Sequence, residues 1–373
     1  MNNASQAVGI DHFLHGAEGP IFDVRSPCEY SAGHIPGSFS LPLFTDEERA
    51  LVGTVYKQRG HDVAVQVGLE AVGPKLGSMA ATIRQTLRQS KSSWCRVTCY
   101  RGGMRSRSVQ WLCEFLGFSA IRLDGGYKVF RHHVLDTFER DFQFIVIGGP
   151  TGSGKTSWIK VLQEKGFQAI DLEQIANHRG SAFGLLPGVI QPSTEHFENL
   201  LASQLWAMDP SAPIFVEDES RQIGSCMIPK GIYEKMDRSR LLWLQVSMED
   251  RLQRILASYG EFPLSWLVDC TNKLQRRLGS ERVKTIVCAI EGNRLEEAAR
   301  LLLEYYDQAY LHSRSRHPRE HQSLSPEEFA ALIEDMPTNI QENSLIEFFK
   351  KAPLPNVGID VPRSTELPRN VSI

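Results

Sequence analysis

The sequence predicts two successive α/β domains, each built on a central parallel β-sheet, the second of which ends in a helical part. Short apolar runs alternate with helix-type patterns along the chain, which is typical of parallel sheets. Two glycine-containing loops, at residues 99–105 and 149–156, each follow an apolar run and precede a helical pattern. At 373 residues, 42% of them hydrophobic, the chain is long enough to bury two cores.

The N-terminal domain is expected to span residues 1–140. Runs with β-type composition at 20–24 and 96–98 predict strands, and the periodic pattern at 106–116 predicts a helix. A helix after a strand suits a parallel sheet, because parallel strands need a crossover that carries the chain back.

The second domain is expected to span residues 141–336. The run at 142–147 predicts its first strand, and the pattern at 157–165, ended by Gly166, predicts the helix after the glycine-rich loop. Three more strands and then a helical region are predicted, in this order: a strand ending at Asp171, strands at 213–216 and 241–246, and helices over 251–310. Residues 337–373 contain several prolines and show weak periodicity, and we expect them to form a C-terminal tail.

Composition narrows the functional class. The formal net charge of -3 gives no overall attraction to nucleic acid, so a polyanion would have to be met by local Arg and Lys clusters. The seven cysteines lack the regular spacing of a disulfide framework or of a Cys/His metal site. No segment approaches the roughly 20 apolar residues that span a bilayer. We therefore expect a cytoplasmic protein without a membrane partner.

The first loop reads Cys99-Tyr100-Arg101-Gly102-Gly103-Met104-Arg105. Its position between a strand and a helix lets backbone N–H groups converge at a helix N-terminus, which binds anions and lowers the pKa of a thiol. Arg101 and Arg105 add positive charge beside it. The sequence therefore predicts that Cys99 is a nucleophile and that both arginines bind an oxyanion, whereas Cys95 and Cys113 are expected to be structural.

The residues around this loop resemble the rhodanese (sulfurtransferase) domain, over residues 10–132. The resemblance rests on the stretches at 23–38 and 123–127, which flank the loop and its helix. It implies that Cys99 carries sulfur or a related chalcogen as a persulfide-type intermediate. Asp23, Arg25 and His34 are expected to be scaffold residues.

The Cys99 loop is one residue longer than the commonest rhodanese loop. Cys99 and Arg105 have five residues between them, which is also the spacing of cysteine-dependent phosphatases. A wider loop admits a tetrahedral phosphate-like group more readily, so a phosphorus oxyanion is one expected donor. A Cys-x5-Arg phosphatase stays open as an alternative.

The second loop satisfies the Walker A pattern, between a predicted strand and a predicted helix, and predicts a P-loop NTPase-like domain. Backbone N–H groups of such a loop wrap a diphosphate, while its lysine neutralises the terminal phosphate and its hydroxyl residue ligates Mg²⁺. The predicted binding residues are Gly149, Gly152, Ser153, Gly154, Lys155 and Thr156.

An acidic group next to this loop is expected to complete a magnesium site. Glu217-Asp218-Glu219 follows an apolar strand, and we assign Asp218 to the metal together with Thr156, with Asp171 as another candidate for the metal or for a base. Two further features are either functional or simply exposed to solvent. One is His178. The other is a set of basic residues that form either a phosphate lid or a solvated face, namely Lys273, Arg276 and Arg277.

The fusion of these two domains resembles the tRNA 2-selenouridine synthase family. Besides the two loops, the resemblance rests on the stretches at 176–181 and 305–307. It implies a transferase that acts on 2-thiouridine at the tRNA wobble position. The sulfur is first geranylated with geranyl diphosphate, and the geranylthio group is then replaced by selenium from selenophosphate, which selenophosphate synthetase supplies.

The resemblance assigns one loop to each stage. Cys99 would take selenium from selenophosphate as a perselenide, while the Walker loop would hold the diphosphate leaving group, although geranyl diphosphate, a nucleotide or tRNA could each occupy that loop. A sulfurtransferase fused to a P-loop kinase or NTPase stays open as an alternative. Candidate tRNA contacts are Arg105, Arg107, Arg314, Arg316, His317 and Arg319. Candidate prenyl-pocket residues, which core packing explains equally well, are Phe183, Leu185 and Leu186.

Overall fold

The computed structural model of the chain describes residues 7–316 and 321–336, and for 311–316 it describes the backbone alone. Its N-terminal half contains a five-stranded sheet of order β1-β5-β4-β2-β3 in which every pairing is parallel. The strands are β1 (Ala7–Val8), β2 (Ile21–Asp23), β3 (Phe39–Ser40), β4 (Trp94–Thr98) and β5 (Ser119–Leu123). The helices are α1 (Ile10–His15), α2 (Pro27–Ala32), α3 (Asp46–Arg59), α4 (His61–Val72), α5 (Leu76–Gln89), α6 (Met104–Phe115) and α7 (Gly126–Glu139).

The C-terminal half contains a second parallel sheet, of order β12-β11-β6-β8-β7, and a small antiparallel pair, β9 with β10. The strands are β6 (Phe144–Gly148), β7 (Ala169–Ile170), β8 (Ile214–Glu217), β9 (Gln222–Ile223), β10 (Cys226–Met227), β11 (Arg240–Leu244) and β12 (His321–Leu324). The helices are α8 (Lys155–Glu164), α9 (Leu172–Ile175), α10 (Thr194–Trp206), α11 (Lys230–Arg238), α12 (Met248–Tyr259), α13 (Leu264–Asn272), α14 (Gln275–Leu278), α15 (Ser280–Glu291), α16 (Leu295–Arg316) and α17 (Pro326–Asp335).

Two parallel sheets, the second followed by a helical part, confirm the predicted fold class. Strand β12 was not predicted, because its His-Gln-Ser-Leu sequence has only one apolar residue. It becomes a strand by pairing in parallel with β11 over four residues, from Leu241 opposite His321 to Leu244 opposite Leu324. Pairing with a buried neighbour outweighs weak local preference at this edge of the sheet.

Helix α7 belongs to the core of both halves. A single cluster of buried residues contains Leu123 and Phe130 from the N-terminal half, and Val146 and Phe197 from the C-terminal half. Burying an aromatic or branched side chain contributes about 1.5–3 kcal/mol, so this shared cluster strongly favours one arrangement of the two sheets.

Hydrogen bonds to α10 reinforce the shared core. Asn199, which is fully buried on α10, donates to the carbonyl oxygen of His34 and to the hydroxyl oxygen of Tyr127, both at 2.9 Å. The Tyr127 hydroxyl in turn donates to the Glu195 carboxylate at 2.7 Å. Burial, followed by the hydrogen bond to Glu195, raises the pKa of Tyr127. The hydroxyl therefore stays protonated and able to donate.

Asp23, Arg25 and His34, which are expected from the sequence to be scaffold residues, form structural contacts. Asp23 and Arg25 form a buried ion pair at 2.6 Å, and the Arg25 guanidinium lies 3.6 Å from the centroid of the Tyr127 ring. The His34 ring stacks between Tyr30, at 3.8 Å, and His196 of α10, at 3.9 Å. These contacts connect the segment after β2 to both α7 and α10.

Replacing Asn199 with alanine is expected to lower the thermal unfolding midpoint. The substitution leaves a buried carbonyl and a buried hydroxyl short of hydrogen bonds, at a cost of about 1–3 kcal/mol. Thermal unfolding followed by circular dichroism measures the loss. Gln204→Ala, on the same helix, is the control, because the Gln204 side chain forms no hydrogen bond within the described residues. Equal midpoints for the two variants would contradict the interpretation.

Candidate active site

The Cys99 loop lies between β4 and α6, as predicted. Cys99 is 2% exposed, and its sulfur is 3.2 Å from the Ser106 hydroxyl oxygen. The Ser106 hydroxyl donates to the carbonyl oxygen of Gly103 at 3.1 Å, so its oxygen is free to accept from the thiol. The first residues of α6 present unsatisfied N–H groups to the loop, since an α-helix cannot pair its first four.

Glycines hold the Cys99 loop against the start of α7. A Cβ atom on Gly126 would lie 2.2 Å from the carbonyl oxygen of Cys99 and 2.4 Å from the nitrogen of Gly102. Gly126 also has φ of +63°, in the region that favours glycine. The Tyr127 N–H donates to the Cys99 carbonyl at 2.8 Å. The backbone on either side of Cys99 is therefore fixed by a contact that no other residue type allows.

The two predicted oxyanion-binding arginines belong to the loop but form no bond to its sulfur in the described structure. Arg105 pairs with Glu29, with N···O distances of 2.7 and 3.4 Å. Although burial acts to raise the pKa of Glu29, the hydrogen bond and charge of Arg105 lower it, so the carboxylate stays ionised. Arg101 is exposed, and its guanidinium lies 6.0 Å from the Tyr100 ring centroid. The group that contacts the thiol, Ser106, was not predicted.

The Walker loop connects β6 to α8, also as predicted. Gly154, with φ of +88°, is the N-cap of α8, and the Ser153 N–H donates to Pro150 O at 3.0 Å. Arg251 of α12 supports the loop from behind. Its guanidinium donates to Thr151 O at 2.8 Å and to both carboxylate oxygens of Asp307 on α16, at 2.9 and 2.6 Å.

Lys155 lies at the centre of the charged part of this site. Its ammonium is 3.4 Å from Gly149 O and 6.0 Å from the Tyr310 ring centroid. Burial acts to lower the pKa of Lys155, but Tyr310 and the carboxylates of Glu219 and Glu173 outweigh it and raise the pKa. The lysine therefore stays positively charged.

Three glutamates surround the lysine. The Thr156 hydroxyl donates to Glu173 at 3.1 Å, and Glu217, at the end of β8, is fully buried with both carboxylate oxygens lacking a hydrogen-bond partner within the described residues. Burial is the main cause of a raised pKa at Glu173, Glu217 and Glu219, with their mutual repulsion adding to it. Acids of this kind are stabilised by an additional cation.

The acids near the Walker loop differ in whether they line the cavity beside it. Glu173 and Glu219 line the cavity beside the Walker loop, whereas Asp218 does not line it. Asp171, the other candidate, is the N-cap of α9, and its carboxylate accepts from the Gln174 N–H at 2.7 Å. Its carboxylate thus has a structural role at the start of that helix.

One cavity of about 580 Å³ joins the Walker loop to an apolar chamber. Its polar end contains the loop from Thr151 to Ser157 together with Lys160, Glu173, Arg179, Glu219 and Arg254. Its apolar end is formed by the loop after α9 and by α12, α13, α15 and α16. The chief apolar lining residues are Phe183, Ile255, Leu256, Tyr259, Leu267, Ile290, Leu295, Ala298, Ala299, Leu302, Leu303, Tyr306 and Tyr310.

Several predicted residues do not line this cavity. Of the three apolar candidates only Phe183 lines it, and Leu185 and Leu186 do not. The basic residues on and before α14, namely Lys273, Arg276 and Arg277, do not line it either. Two unpredicted arginines do. Arg254 donates to Ser153 O at 2.9 Å, and the Arg179 guanidinium lies 5.3 Å from the Tyr259 ring centroid.

The remaining predicted residues are His178, which the structure describes, and the C-terminal basic cluster, which lies mostly outside the described residues. His178 is half-buried, packs close to Gly184 and Gly224, and has an Nδ1 atom without a partner among the described residues. His317 and Arg319 of the candidate tRNA cluster lie outside the described residues, as do the side chains of Arg314 and Arg316.

Across residues 7–316 and 321–336, no helix combines the length and apolar character needed to cross a membrane.

The fold and the two loops define a rhodanese-like domain fused to a P-loop domain. A family model for the rhodanese-like domain matches residues 11–133, and a model for the tRNA 2-selenouridine synthase AAA domain matches residues 142–339. The chain belongs to the tRNA 2-selenouridine synthase family.

Relatives with that name match most of the chain. The tRNA 2-selenouridine synthase of Pseudomonas fluorescens Pf-5 is 38% identical over 335 residues, which cover 79% of this chain and 88% of the relative. Those of Pseudomonas syringae pv. tomato DC3000 and Aeromonas salmonicida A449 are each 36% identical, over 79% of this chain and 88% and 86% of their own lengths.

Replacing Glu217 with glutamine is expected to stabilise the protein increasingly as the pH rises. Burial, followed by repulsion from Glu173, raises the pKa of Glu217 to about 8. Between the ordinary carboxyl pKa and that value the folded protein binds more protons than the unfolded chain, so its stability falls with rising pH. Glutamine removes this term, which is at most about 1.4 kcal/mol per pH unit.

The free energy of urea unfolding, measured without divalent cations from about pH 5 to pH 8, tests this linkage. Glu261→Gln, at an exposed glutamate after α12, is the control and should show no such trend. A stabilisation by Glu217→Gln that stays constant with pH would show that the charge of this carboxyl group is not responsible.

Proposed function

We propose that the protein converts 2-thiouridine at the tRNA wobble position into 2-selenouridine through an S-geranyl intermediate, with geranyl diphosphate and selenophosphate as cosubstrates. The observation that carries the proposal is the single cavity that joins the Walker loop to an apolar chamber. A prenyl diphosphate has the same division, with a polyanionic end and a hydrocarbon chain. Family membership supports tRNA as the substrate.

In the geranylation step, the sulfur of 2-thiouridine attacks C1 of geranyl diphosphate. The C1–O bond breaks, diphosphate leaves with the bonding pair, and the N3 proton of the base is lost. Lys155 and the N–H groups of the Walker loop stabilise the charge that grows on the leaving oxygen. The rings of Tyr306 and Tyr310 line the same cavity. Their faces can stabilise positive charge on the allylic carbons.

The acids beside the Walker loop fit a magnesium ion. No group of three His, Cys, Asp or Glu side chains among the described residues is arranged to hold a metal by itself. Magnesium does not require one, because it is commonly bound by one or two carboxylates, substrate phosphates and water. Thr156, Glu173 and Glu219, which all line the cavity, would hold it. The ion would neutralise charge on the diphosphate.

In the selenation step, selenium replaces the geranylthio group at C2 of the base. Formation of a perselenide on Cys99 with release of phosphate is not a balanced reaction. Thiolate attack on selenium would expel phosphite, which is two electrons more reduced than phosphate. In the balanced route, the Cys99 thiolate attacks phosphorus, and the P–Se bond breaks to release selenide. Selenide then attacks C2 and expels geranylthiolate, and water cleaves the phosphocysteine to phosphate.

The geometry of the Cys99 loop supports phosphoryl transfer to the cysteine. The Cys-x5-Arg spacing gives the loop the width for a tetrahedral group, and α6 points its N-terminus at it. Ser106 is within hydrogen-bond distance of the sulfur, where its hydroxyl can turn to stabilise a thiolate. If the substrate phosphate replaced Glu29 as the partner of Arg105, this arginine would take the oxyanion-binding role expected from the sequence.

Exposed side chains next to Cys99 suit a tRNA anticodon loop. Tyr100 is 40% exposed, and Arg101 and Arg107 are exposed on the same loop and on the first turn of α6. Aromatic rings stack on unpaired bases, while arginines bind phosphates in a salt-dependent way. We infer that these residues receive the wobble nucleotide.

Two further parts of the proposal concern the setting of the reaction. Selenophosphate synthetase supplies the selenophosphate, and the protein acts in the cytoplasm.

A P-loop kinase or NTPase fused to a sulfurtransferase is the second candidate, because the Walker loop alone would bind a nucleotide equally well. It predicts nucleotide turnover in the absence of tRNA. Incubation with 2-thiouridine tRNA, geranyl diphosphate and selenophosphate, followed by mass spectrometry of the nucleosides, separates the two. If neither geranylated nor selenated nucleoside forms, the proposed function is wrong.

Substitutions at the two loops are expected to stop different stages. Cys99→Ser should accumulate S-geranyl-2-thiouridine without the seleno product. Lys155→Met should lower geranylation by about 100-fold or more, in the range measured when one charge-stabilising donor is removed, yet still selenate tRNA geranylated beforehand. Nucleoside mass spectrometry measures both. Cys288→Ser and Lys284→Met, at exposed positions, are the controls. If both variants lost both products, the claim that the two stages take place at separate sites would be wrong.

The group carried by Cys99 can be identified directly. The balanced route predicts a labelled phosphoryl group on Cys99 when selenophosphate labelled at phosphorus is mixed with the enzyme and quenched. Peptide mass spectrometry should show this adduct in the unmodified protein and not in Cys99→Ser. A selenium adduct at Cys99 instead would contradict phosphoryl transfer while leaving the overall conversion intact.

A further inference from the structure

A second cavity, of about 440 Å³, shares a wall with the Walker cavity. Its volume is within the range of small-molecule sites, which is about 300–1,000 Å³. The segment 173–180 contributes to both cavities: Glu173 and Arg179 line the Walker cavity, whereas Gln174 and Asn177 line the second one. Ligands in the two cavities would therefore contact the same short segment of chain.

The polar lining of the second cavity consists mainly of amide side chains, so we call it the amide cavity. They belong to Gln174, Asn177, Gln191 and Gln204. Asn177 and Gln191 each donate to nearby backbone carbonyl groups. The side chains of Gln174 and Gln204 form no hydrogen bond with any residue that the structure describes. These two amides can therefore donate to a ligand and accept from it.

The lining of the amide cavity carries no charge. No Asp, Glu, Lys or Arg of the described ranges contributes to it. Its histidine, His196, is neutral, because burial, followed by the neighbouring His34, lowers the pKa of the ring to about 4. A phosphate placed here would have no cation to pair with, and an unpaired buried charge is costly. The ligand that fits is neutral and has both donors and acceptors.

Apolar side chains complement the amides. Ile190 and Leu200 line the cavity, and Ile190 is 84% exposed at its rim. The Asn177 Nδ2 atom donates to the Ile190 carbonyl oxygen at 3.2 Å, which holds this rim against the segment after α9. Apolar side chains pack on the faces of a nucleobase, while amides bond to its edge. Because Gln174 and Asn177 are exposed as well, a base that belongs to a large molecule can enter from outside.

The two cavities are close enough for one strand to reach both. A helix with its side chains is about 10–12 Å across, so groups bound on two faces of α9 are separated by about that distance. A stacked strand advances about 3.4 Å per nucleotide and spans it in about three nucleotides. His196 also stacks on His34 at 3.9 Å, so the amide cavity adjoins the half of the molecule that carries Cys99.

We propose that the amide cavity binds an unpaired base of the tRNA, a few nucleotides from the wobble position, and that Gln174 and Gln204 bond to the edge of this base. The phosphates of the strand stay outside, which agrees with the uncharged lining and argues against a free nucleotide. The inference rests on the proposed tRNA substrate and adds where a second nucleotide of that substrate is held.

Leucine at the two glutamine positions keeps the approximate size of each side chain and removes its donors and acceptors. Gln174→Leu and Gln204→Leu should each raise the Kd for an anticodon stem-loop RNA with 2-thiouridine at the wobble position by about 5-fold or more. Fluorescence anisotropy measures the Kd. Gln253→Leu makes the same change at an exposed residue of α12 that lines neither cavity, and it should leave the Kd unchanged.

A thermodynamic cycle separates base binding from a structural effect of the glutamines. Each loop nucleotide other than the wobble nucleotide is replaced in turn by an abasic one. At the position whose base occupies the amide cavity, this replacement should weaken binding to the unmodified protein and add no further loss in the variant with both glutamines replaced. Losses that add at every position would overturn the base site.

The same protein and stem-loop, mixed with geranyl diphosphate and analysed by nucleoside mass spectrometry, test the proposed function separately. Geranylated nucleoside together with additive losses at every position would leave the proposed function standing without the base site. Non-additive losses without any geranylated nucleoside would support the base site and show that the proposed chemistry is wrong. If the unmodified protein did not bind the stem-loop, the proposed tRNA substrate would be wrong, and the base site with it.

Discussion

The position of α7 is the constraint on which the relation between the two sites depends. At its first residue, Gly126, the helix touches the carbonyl of Cys99, and its next residue, Tyr127, bonds to Asn199 of the second half. The apolar side of α7 lies in a core that both sheets share. Because one rigid helix meets both, the thiol loop has a fixed position relative to α10 and the loop that precedes it.

The Walker site depends in a comparable way on balanced charge. Three carboxylates raise the pKa of Lys155, although burial acts against its charged form, while the same burial raises their own pKa values. Such a cluster is costly, because buried like charges repel one another in a medium that screens poorly. The diphosphate and divalent cation of the proposed function would add both a negative and a positive partner, so their binding would offset this repulsion.

The two loops could be predicted because each is encoded by a short contiguous stretch with a strand before it and a helix after it. Other parts of the site could not. The sequence does not distinguish among Glu217, Asp218 and Glu219, because adjacent acids at a strand end differ only in the face they occupy: Glu219 lines the cavity and Asp218 does not. The apolar chamber is formed by helices distant in sequence from the Walker loop, and Leu295 there has the same periodicity as any core residue. Only tertiary packing distinguishes a cavity wall from a core.

The ion pair between Arg251 and Asp307 joins the helices of the apolar chamber to the back of the Walker loop. The polar and the apolar lining of the cavity are thus joined by one ion pair but encoded in separate stretches of the chain. A substitution on α16 can therefore change the apolar lining without changing any residue of the Walker loop. The size of the apolar part of the cavity can vary independently of its polar part.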